Sequence, residues 1–397
     1  MQAGSATTTG SAAQRLEQAR EVRGPLRLAR AEVFMLSLPM VRRLRSAYGR
    51  SSGPKRVIVV RLEDQDGAVG WGESPVAERP VYCTDTAEST WFALTDVLLP
   101  GILHNQFSGP AEVADCWADV LGQNYAKNAL ESAVWAIASA KLGIPLSRLW
   151  GGVRDAVPVG ESFPICDGIE ELITLVDARV REGFARIKLK VAPGWDVGPT
   201  AAMRERFPGM PLSVDANCGY TPGSGPWAEL DDLGLVMIEQ PYAADALIEL
   251  SELQQGLRTP LCLDESASSR NTTRTALRLG SGRIVNIKPP RLGGLLASIA
   301  VHDLCAAQQV PVWCGGTLET GIGRGFNLAL AALPGFTLHN DMSPARIFYE
   351  QDLVEPTFDI DQSGRIAVPS RPGNGFPVAA DRVAAAAVRR WTSDIDM

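Results

Sequence analysis

The sequence has few of the residues that build metal and redox centres in many enzymes. Its 397 residues include three histidines, His104, His302 and His339, and no two of them are close together. The seven cysteines are scattered and form no Cys-x-x-Cys pair. A zinc site or a histidine acid–base pair would therefore need distant residues to converge. The cysteine pattern indicates buried thiols in a reducing cytosol rather than a disulfide or zinc framework.

The chain also lacks the features of membrane and nucleic-acid-binding proteins. No apolar run reaches the roughly 20 residues needed to cross a bilayer. A net charge of −7 argues against a nucleic-acid surface. Residues 1–13 are small and polar and have no apolar core of a signal peptide. We predict a cytoplasmic protein with a disordered tail over residues 1–26, no membrane contact and no nucleic-acid partner.

The next part of the chain has an α+β pattern. Strand candidates at 27–36 and 56–62 flank the segment 42–54, whose basic, Ser- and Gly-rich composition predicts an exposed, mobile loop. A third strand candidate at 69–73 precedes three segments with helical periodicity. We predict a separate α+β domain over residues 27–150.

From Val157 onward the pattern changes to alternating strands and helices. Apolar strand candidates recur at intervals of roughly 25 residues, with a helix-like segment between most of them. About eight such units predict a (β/α) barrel over residues 151–348. No dinucleotide-binding glycine motif follows the first strand. The Pro-rich, then Ala-rich segment 349–397 predicts a return to the N-terminal domain.

Two lysines alternate with apolar residues in one strand candidate, Arg186-Ile-Lys-Leu-Lys190. Because side chains alternate across a strand, Lys188 and Lys190 share one face. An edge strand with one solvated face would explain this pattern. Lysine is rarely buried without a partner, so burial of this face would require anions nearby.

Charged residues also end the next four strand candidates. They are Asp215, Glu239, Asp264 with Glu265 beside it, and Lys288. A single acid at a strand end is often a helix N-cap or a turn residue. Counting Lys190, however, charged residues end five consecutive strand candidates, and capping or turn roles do not explain so regular a set. Since a barrel's active site lies at the carboxyl ends of its strands, one mouth would hold three carboxylates flanked by lysines.

This set of residues predicts a specific chemistry. Three carboxylates without His or Cys form a hard oxygen site, suited to Mg²⁺ or Mn²⁺ rather than Zn²⁺. A cation and the Lys188 ammonium would both favour the neutral amine of Lys190. A useful general base has a pKa near about 7 to 8. With Lys288 on the other side, the set predicts removal of a proton α to a carboxylate, with the metal stabilising the enediolate.

These motifs resemble the enolase superfamily, whose sites use a Lys or His base with Mg²⁺. Within it, the chain is most similar to the o-succinylbenzoate synthase and N-acylamino acid racemase family, over about residues 27–380. The segments that carry the resemblance are Arg186-Ile-Lys-Leu-Lys190, Pro193-Gly-Trp-Asp196, Val214-Asp-Ala-Asn217, Ile238-Glu-Gln-Pro241, Cys262-Leu-Asp-Glu-Ser266, Val285-Asn-Ile-Lys-Pro289, Pro311-Val-Trp-Cys-Gly-Gly316 and Leu318-Glu-Thr-Gly-Ile-Gly-Arg324.

The resemblance implies a (β/α)7β TIM-like barrel with an N-terminal α+β capping domain. It implies that Asp215, Glu239 and Asp264 bind Mg²⁺ or Mn²⁺, supported by Glu265. Lys190 and Lys288 would be catalytic on opposite faces of the substrate, and Lys188 would tune Lys190 and hold the substrate carboxylate. The implied substrate contacts are Ser162, Asn217, Tyr82, Arg45, Gly316, Thr317 and Glu319.

Three reactions fit this family: dehydration to o-succinylbenzoate in menaquinone biosynthesis, racemisation of N-acylamino acids, and a reaction of a specialised relative on another carboxylate. A muconate-type cycloisomerase or a dipeptide epimerase fits less well, and Leu338-His-Asn-Asp341 lacks the Asp-x-Asp associated with such epimerases. Two alternatives from other classes are a non-catalytic barrel scaffold and a zinc hydrolase. The first predicts no Mg²⁺ binding, and the second needs histidines that the chain hardly offers.

Some positions depart from the family pattern and leave the substrate open. Glu161 and Thr317 stand where apolar residues are usual, and Pro164 and Pro290 stand where glycine is usual. The loop predicted to cap the mouth is unusually basic, with Arg42, Arg43, Arg45 and Arg50. We expect a small-molecule carboxylate substrate and, by analogy with the family, a homo-oligomer.

Overall fold

The structure is a computed structural model that describes residues 14–41, 45–50, 53–103 and 105–394. Predictions that concern residues 1–13, Arg42, Arg43, 51–52 and His104 lie outside the described residues, as does the side chain of Arg50.

The described residues of the N-terminal part form five strands and six α-helices, with a π-helical stretch at Ala93–Leu98. In chain order they are α1 Arg15–Arg20, β1 Leu28–Leu38, β2 Arg45–Ser46, β3 Gly49–Arg50, β4 Lys55–Asp64, β5 Val69–Ser74, α2 Ala87–Phe92, α3 Leu99–Ile102, α4 Pro110–Asp115, α5 Asn124–Leu142 and α6 Leu146–Leu149.

The following part alternates between strands and helices. Its elements are β6 Ala156–Pro158, β7 Glu161–Phe163, α7 Ile169–Arg181, β8 Ile187–Lys190, α8 Val197–Arg206, β9 Leu212–Asp215, α9 Trp227–Asp231, β10 Ile238–Glu239, α10 Leu247–Gly256, β11 Leu261–Leu263, α11 Arg270–Leu279, β12 Ile284–Ile287, α12 Pro289–Leu292, α13 Leu295–Ala307, β13 Val312–Cys314 and α14 Gly321–Ala331. A 3₁₀ turn at Ala345–Ile347, β14 Arg365–Ala367, α15 Ala380–Ala386 and β15 Ala387–Asp394 complete the chain.

The N-terminal sheet has the strand order β15-β1-β4-β5, and all of its pairings are antiparallel. Its long helix α5 packs on β5, where Gly72 allows a close approach. A Cβ atom at Gly72 would lie 1.7 Å from the carbonyl oxygen of Ala129. The last strand of the chain, β15, pairs with β1, so the C-terminal segment returns to this sheet.

The second sheet is a barrel of parallel strands. Seven strands follow the order β13-β12-β11-β10-β9-β8-β7. Parallel bridges from Phe336 to Val312 and from Asn340 to Val159 supply an eighth position that closes the sheet. The predicted (β/α)7β barrel with an N-terminal α+β capping domain is confirmed. Closure brings the carboxyl ends of all eight segments to one mouth.

Two segments differ from their predictions. Residues 15–20 were predicted to lie in a disordered tail but form α1, because Ala19 is buried and the Leu16 amide donates to Asp303 Oδ2 at 2.8 Å. Residues 45–50 were predicted to belong to a mobile loop but form the antiparallel β2–β3 hairpin. The contact that holds α1 is not visible from local composition, because Leu16 and Asp303 are 287 positions apart in sequence.

Two buried glutamates join the N-terminal domain to the barrel. Glu73 on β5 accepts bonds from the Thr320 amide at 2.9 Å and the Gly323 amide at 2.7 Å, at the start of α14. Glu131 on α5 accepts bonds from the amides of Leu295 and Leu296, at the start of α13. Each carboxylate satisfies amides that a helix N-terminus leaves without intrahelical partners.

Candidate active site

The register of the parallel strands brings the predicted charged residues together. Lys190 is paired with Asp215, and Asp215 with Glu239, across three neighbouring strands. Lys288 follows β12, which is four positions from β8 around the eight-membered sheet. Lys190 and Lys288 therefore stand on opposite sides of the mouth.

The three predicted metal-binding carboxylates, Asp215, Glu239 and Asp264, are fully buried. Asp215 Oδ2 accepts bonds from Lys190 Nζ at 2.6 Å and from Lys188 Nζ at 3.2 Å. Burial and the negative charge of Asp215 raise the pKa of Glu239 to about 8. The carboxylates thus lie close enough to repel each other, and cations are what offset that repulsion.

Lys188 is buried among three acids. Its Nζ lies 2.9 Å from Glu239 Oε2, and 2.6 Å from an oxygen of Asp341 at the end of the eighth barrel segment. Burial alone would lower the pKa of Lys188, but Asp341, Glu239 and Asp215 together raise it above its usual range. In this arrangement Lys188 is a charged ammonium that holds the acids in place.

Lys288 and Arg291 hold the third carboxylate. Lys288 Nζ donates to Asp264 Oδ2 at 2.7 Å, and Arg291 bonds the other oxygen. The Tyr82 hydroxyl also donates to Asp264 Oδ1, at 2.8 Å, and Lys288 Nζ lies 4.7 Å from the centre of the Tyr82 ring. Tyr82 comes from the N-terminal domain, so that domain completes the mouth of the barrel.

A cavity lies above this cluster, between the barrel and the N-terminal domain. Its lining includes the catalytic candidates Lys188, Lys190 and Lys288 and six of the seven predicted substrate contacts, Ser162, Asn217, Tyr82, Arg45, Gly316 and Thr317. The three predicted metal ligands lie behind the lysines and do not reach the cavity surface. The cavity is therefore the place where a small substrate would meet both predicted bases.

Glu319 has a different position from the predicted one. It is buried behind the wall, where its Oε1 accepts bonds from the Thr317 amide at 3.0 Å and the Thr317 hydroxyl at 2.7 Å. Arg324 pairs with its other oxygen at 3.0 Å. Glu319 supports Thr317 rather than presenting a surface to the substrate. Glu161 is likewise buried and accepts a bond from Ser343, which does line the cavity.

Sequence reasoning missed several residues of the site. Asp341 was considered only because its segment lacks the Asp-x-Asp motif, and not as a residue of the site. Asn286 was not singled out, although its Nδ2 donates to Glu239 Oε1 at 2.7 Å. Arg291, Lys55 and Tyr48 also lie at the cluster or the cavity. Asn286 on β12 could have been found, because alternation along the strand places it on the same face as Lys288. Nothing in the sequence around Tyr48 indicates that it lies at the site.

The comparisons with known proteins agree over most of the chain. The family model for the mandelate racemase / muconate lactonizing enzyme N-terminal domain matches residues 30–151, and the enolase C-terminal domain-like model matches residues 171–382. An o-succinylbenzoate synthase from Geobacillus kaustophilus is 42% identical over 325 residues, which are 82% of this chain and 86% of the relative. An N-succinylamino acid racemase from Amycolatopsis sp is 40% identical over 368 residues, which are 91% of this chain and 99% of the relative.

The chain belongs to the enolase superfamily, in its o-succinylbenzoate synthase and N-acylamino acid racemase family. A solved member of the superfamily from Enterococcus faecalis V583 matches with a TM-score of 0.86 and 33% identity, covering 93% of this chain and 100% of that one. The predicted resemblance and the predicted reaction class are both confirmed. The protein is an enolase-superfamily enzyme that removes a proton α to a carboxylate through an enediolate.

Membership of the enolase superfamily implies a divalent metal ion, and the chemistry of the donor residues here suits one. The donors are three buried carboxylates, and among the described residues the buried oxygens Glu265 Oε2 and Asn217 Oδ1 have no hydrogen-bond partner. Within the described ranges, no three Asp, Glu, His or Cys side chains are close enough together to hold a metal ion. In this structure the carboxylates are instead paired with lysines and with Arg291. An all-oxygen donor set of this kind suits a hard cation.

Two further observations concern the helices and the cysteines. Among the residues that the structure describes, none of the helices combines the length and apolar character needed to cross a membrane. All seven cysteines are free thiols, but the prediction that they are buried holds only for Cys166, Cys262, Cys305 and Cys314. Cys83 and Cys218 are partly buried, and Cys116 is exposed.

Proposed function

We propose that this enzyme acts on N-succinylamino acids and on the cyclohexadiene precursor of o-succinylbenzoate, with Lys190 and Lys288 as its acid–base groups. The observation that carries the proposal is the placement of these two lysines on opposite sides of one cavity. A racemase needs one acid–base group on each face of the α-carbon, so that one removes the proton and the other returns it. A syn dehydration needs an acid–base group on one face only. The reactions named for the relatives support both activities.

We propose Mg²⁺ as the divalent ion, held by Asp215, Glu239 and Asp264. When bound, the ion supplies Lewis-acid stabilisation of the charge that develops on the substrate carboxylate. The chain's own residues then have separate tasks. Lys188 holds the buried acids and the substrate carboxylate, Lys190 and Lys288 move the α-proton, and the lining residues Ser162 and Thr317 orient the rest of the substrate.

The division into domains is part of the proposal. We assign residues 27–150 to the capping domain, 151–348 to the barrel and 349–397 to a C-terminal segment. The family-model match at 30–151 supports the limits of the capping domain, and the match at 171–382 spans most of the barrel and continues into the C-terminal segment. We also propose a cytoplasmic homo-oligomer that acts on a small molecule and has no nucleic-acid partner, in agreement with the free thiols and the net charge of −7.

Proton exchange tests the assignment of the bases. The protein is incubated with Mg²⁺ in D₂O and a panel of N-succinyl and N-acetyl amino acids, and the α-proton is followed by NMR. We expect exchange with inversion in the wild type. Lys190→Ala and Lys288→Ala should each lose about 10²- to 10⁴-fold in racemisation, because each removes one proton-transfer group.

The controls separate catalysis from folding and from scaffold function. Lys127→Ala removes a lysine of α5 that does not line the cavity, and it should keep wild-type activity. Full activity in either Lys190→Ala or Lys288→Ala would contradict the proposal. A wild type that binds no Mg²⁺ at millimolar concentration by calorimetry would favour the scaffold alternative instead.

A second candidate is a related reaction on a different carboxylate, and the wall at Thr317 favours it. The hydroxyl of Thr317 donates to buried Glu319, so this wall is polar and fixed. If the enzyme binds Mg²⁺, exchanges no proton on the panel and does not convert the cyclohexadiene precursor of o-succinylbenzoate, the substrate is another acid whose polar group contacts Thr317.

A further inference from the structure

The β2–β3 hairpin, residues 45–50, lies over the mouth of the barrel and contacts its loops. The carbonyl oxygen of Arg45 accepts a bond from the Ile165 amide at 2.9 Å, beyond β7. The Arg45 guanidinium lies 3.1 Å from Asp167. On another side, a Cβ atom at Gly219 would lie 2.8 Å from the Ala47 Cβ, so the turn of the hairpin sits closely against the loop after β9.

Tyr48 is the residue of the hairpin whose side chain reaches Glu265 in the site. Its hydroxyl donates to Glu265 Oε1, which also accepts a bond from Asn217 Nδ2 at 3.3 Å. The Tyr48 ring stands edge-on to Tyr82, with centroids 6.2 Å apart. Two tyrosines of the capping domain thus donate to two consecutive acids, Tyr82 to Asp264 and Tyr48 to Glu265.

The segment that receives these bonds is held rigidly by the barrel. The amides of Asp264 and Ser266 both donate to Gln240 Oε1, at 3.0 Å and 3.1 Å. Asp264 and Glu265 therefore have a fixed backbone, and their side-chain directions depend on the groups that bond them. The hydrogen bond from Tyr48 limits the side-chain freedom of Glu265, which follows the proposed metal ligand Asp264 in the chain and whose other oxygen, Oε2, has no hydrogen-bond partner among the described residues.

We propose that Tyr48 is a positioning residue, which latches the 45–50 hairpin to Glu265 and so couples closure of the cavity to binding of the divalent ion. The inference rests on the metal site given under Proposed function. A hairpin seated on Glu265 orders the Asp264–Glu265 pair for the cation, and a bound cation in turn favours the seated hairpin. The two effects must be equal in free energy, because coupling between two binding events is reciprocal.

Tyr48→Phe tests the latch, because it removes one hydroxyl and keeps the ring. Mg²⁺ affinity is measured by calorimetry on the full chain after metal removal with EDTA. We expect roughly 10-fold weaker binding in Tyr48→Phe, since groups behind metal ligands typically contribute 10- to 100-fold to affinity. Hydrogen exchange of the 45–50 peptide, with and without Mg²⁺, gives a second readout that does not depend on activity.

Mg²⁺ should slow exchange in the hairpin of the wild type, and this protection should be lost in Tyr48→Phe. Tyr220→Phe is the matched control, because Tyr220 also donates to a carboxylate, Asp196, at 2.9 Å and does not line the cavity. It should behave as the wild type in both measurements.

Two outcomes would overturn different parts of the argument. If Tyr48→Phe binds Mg²⁺ like the wild type and keeps its metal-dependent protection, the latch is wrong and the proposed function stands. If the wild type itself binds no Mg²⁺, the proposed metal site fails, and the coupling that rests on it fails with it.

Discussion

At the scale of single residues, the arrangement around Lys188 shows how a buried ammonium is kept in this fold. Its Nζ lies within 3.2 Å of Asp215, Glu239 and Asp341, and 4.7 Å from the centre of the Trp313 ring. A buried charge is costly unless it is paired and hydrogen-bonded. Trp313 adds a cation–π contact to these ion pairs.

Asp341→Asn should weaken this arrangement strongly. The substitution keeps the shape but removes a charge that Lys188 and Arg186 share, so two buried cations lose a partner. We expect the free energy of unfolding to fall by about 3 kcal/mol, as for other broken buried pairs, together with slower α-proton exchange. Thermal unfolding and the NMR exchange assay measure the two effects. Asp155→Asn, an exposed acid paired with Arg148, should change neither.

The same substitution has a defined pH dependence. Burial opposes ionisation of Asp341, but Arg186 and Lys188 hold its pKa well below its usual range. A depressed pKa contributes stability above the unfolded value of about 3.9 that is lost as pH falls. The stability difference between wild type and Asp341→Asn should therefore shrink as the pH is lowered below about 4. A difference that stays constant in acid would show that the charge of Asp341 is not what stabilises the fold.

At the scale of elements, helices of the barrel depend on acids from the capping domain. Both oxygens of Glu131 are used, with Oε2 accepting from the Leu295 amide at 3.1 Å and Oε1 from the Leu296 amide at 2.9 Å. Trp135 on the same helix donates to Oε1 at 3.2 Å. Gly294 is required beside it, because a Cβ atom there would lie 1.8 Å from the carboxylate.

Glu131→Ala should loosen the attachment of α13 to α5. It leaves two helix-end amides and one indole N–H without an acceptor, and we expect a loss of about 2 to 4 kcal/mol in the free energy of unfolding. Urea unfolding measures the loss. Glu88→Ala removes an exposed glutamate of α2 and should have little effect. A stable Glu131→Ala protein would mean that water or another group replaces the carboxylate.

At the scale of the whole molecule, the site is made by two domains. The barrel supplies the acids and lysines, including Asp341 at the end of its eighth segment, and the capping domain supplies Tyr48 and Tyr82. A ligand that binds only the assembled site stabilises the entire fold.

Mg²⁺ should therefore raise the thermal stability of the protein. At 100 times its dissociation constant, an ion that binds only the folded state contributes about 2.7 kcal/mol, which is a shift of several degrees for a protein of this size. Differential scanning fluorimetry with and without EDTA measures the shift. Asp215→Asn should abolish most of it, and a wild type without any shift would argue against a metal site at these carboxylates.

The sequence by itself determined the barrel, the charged set at its strand ends and the reaction class. Alternation along a strand is a local property, so Lys188 and Lys190 had to share a face, and Asp215, Glu239, Asp264 and Lys288 had to meet once the strands were parallel. These relationships need no knowledge of how distant segments pack.

Only the tertiary structure decided which residues surround that set. Tyr48 and Glu265 are 217 positions apart, and Lys188 and Asp341 are 153 positions apart. Glu319 was expected at the surface of the cavity but is buried behind Thr317. Contacts of this kind depend on loop conformation and on the seating of one domain on another. Neither leaves a periodic pattern in the chain, which is why the helix at Arg15–Arg20 and the hairpin over the mouth could not be predicted.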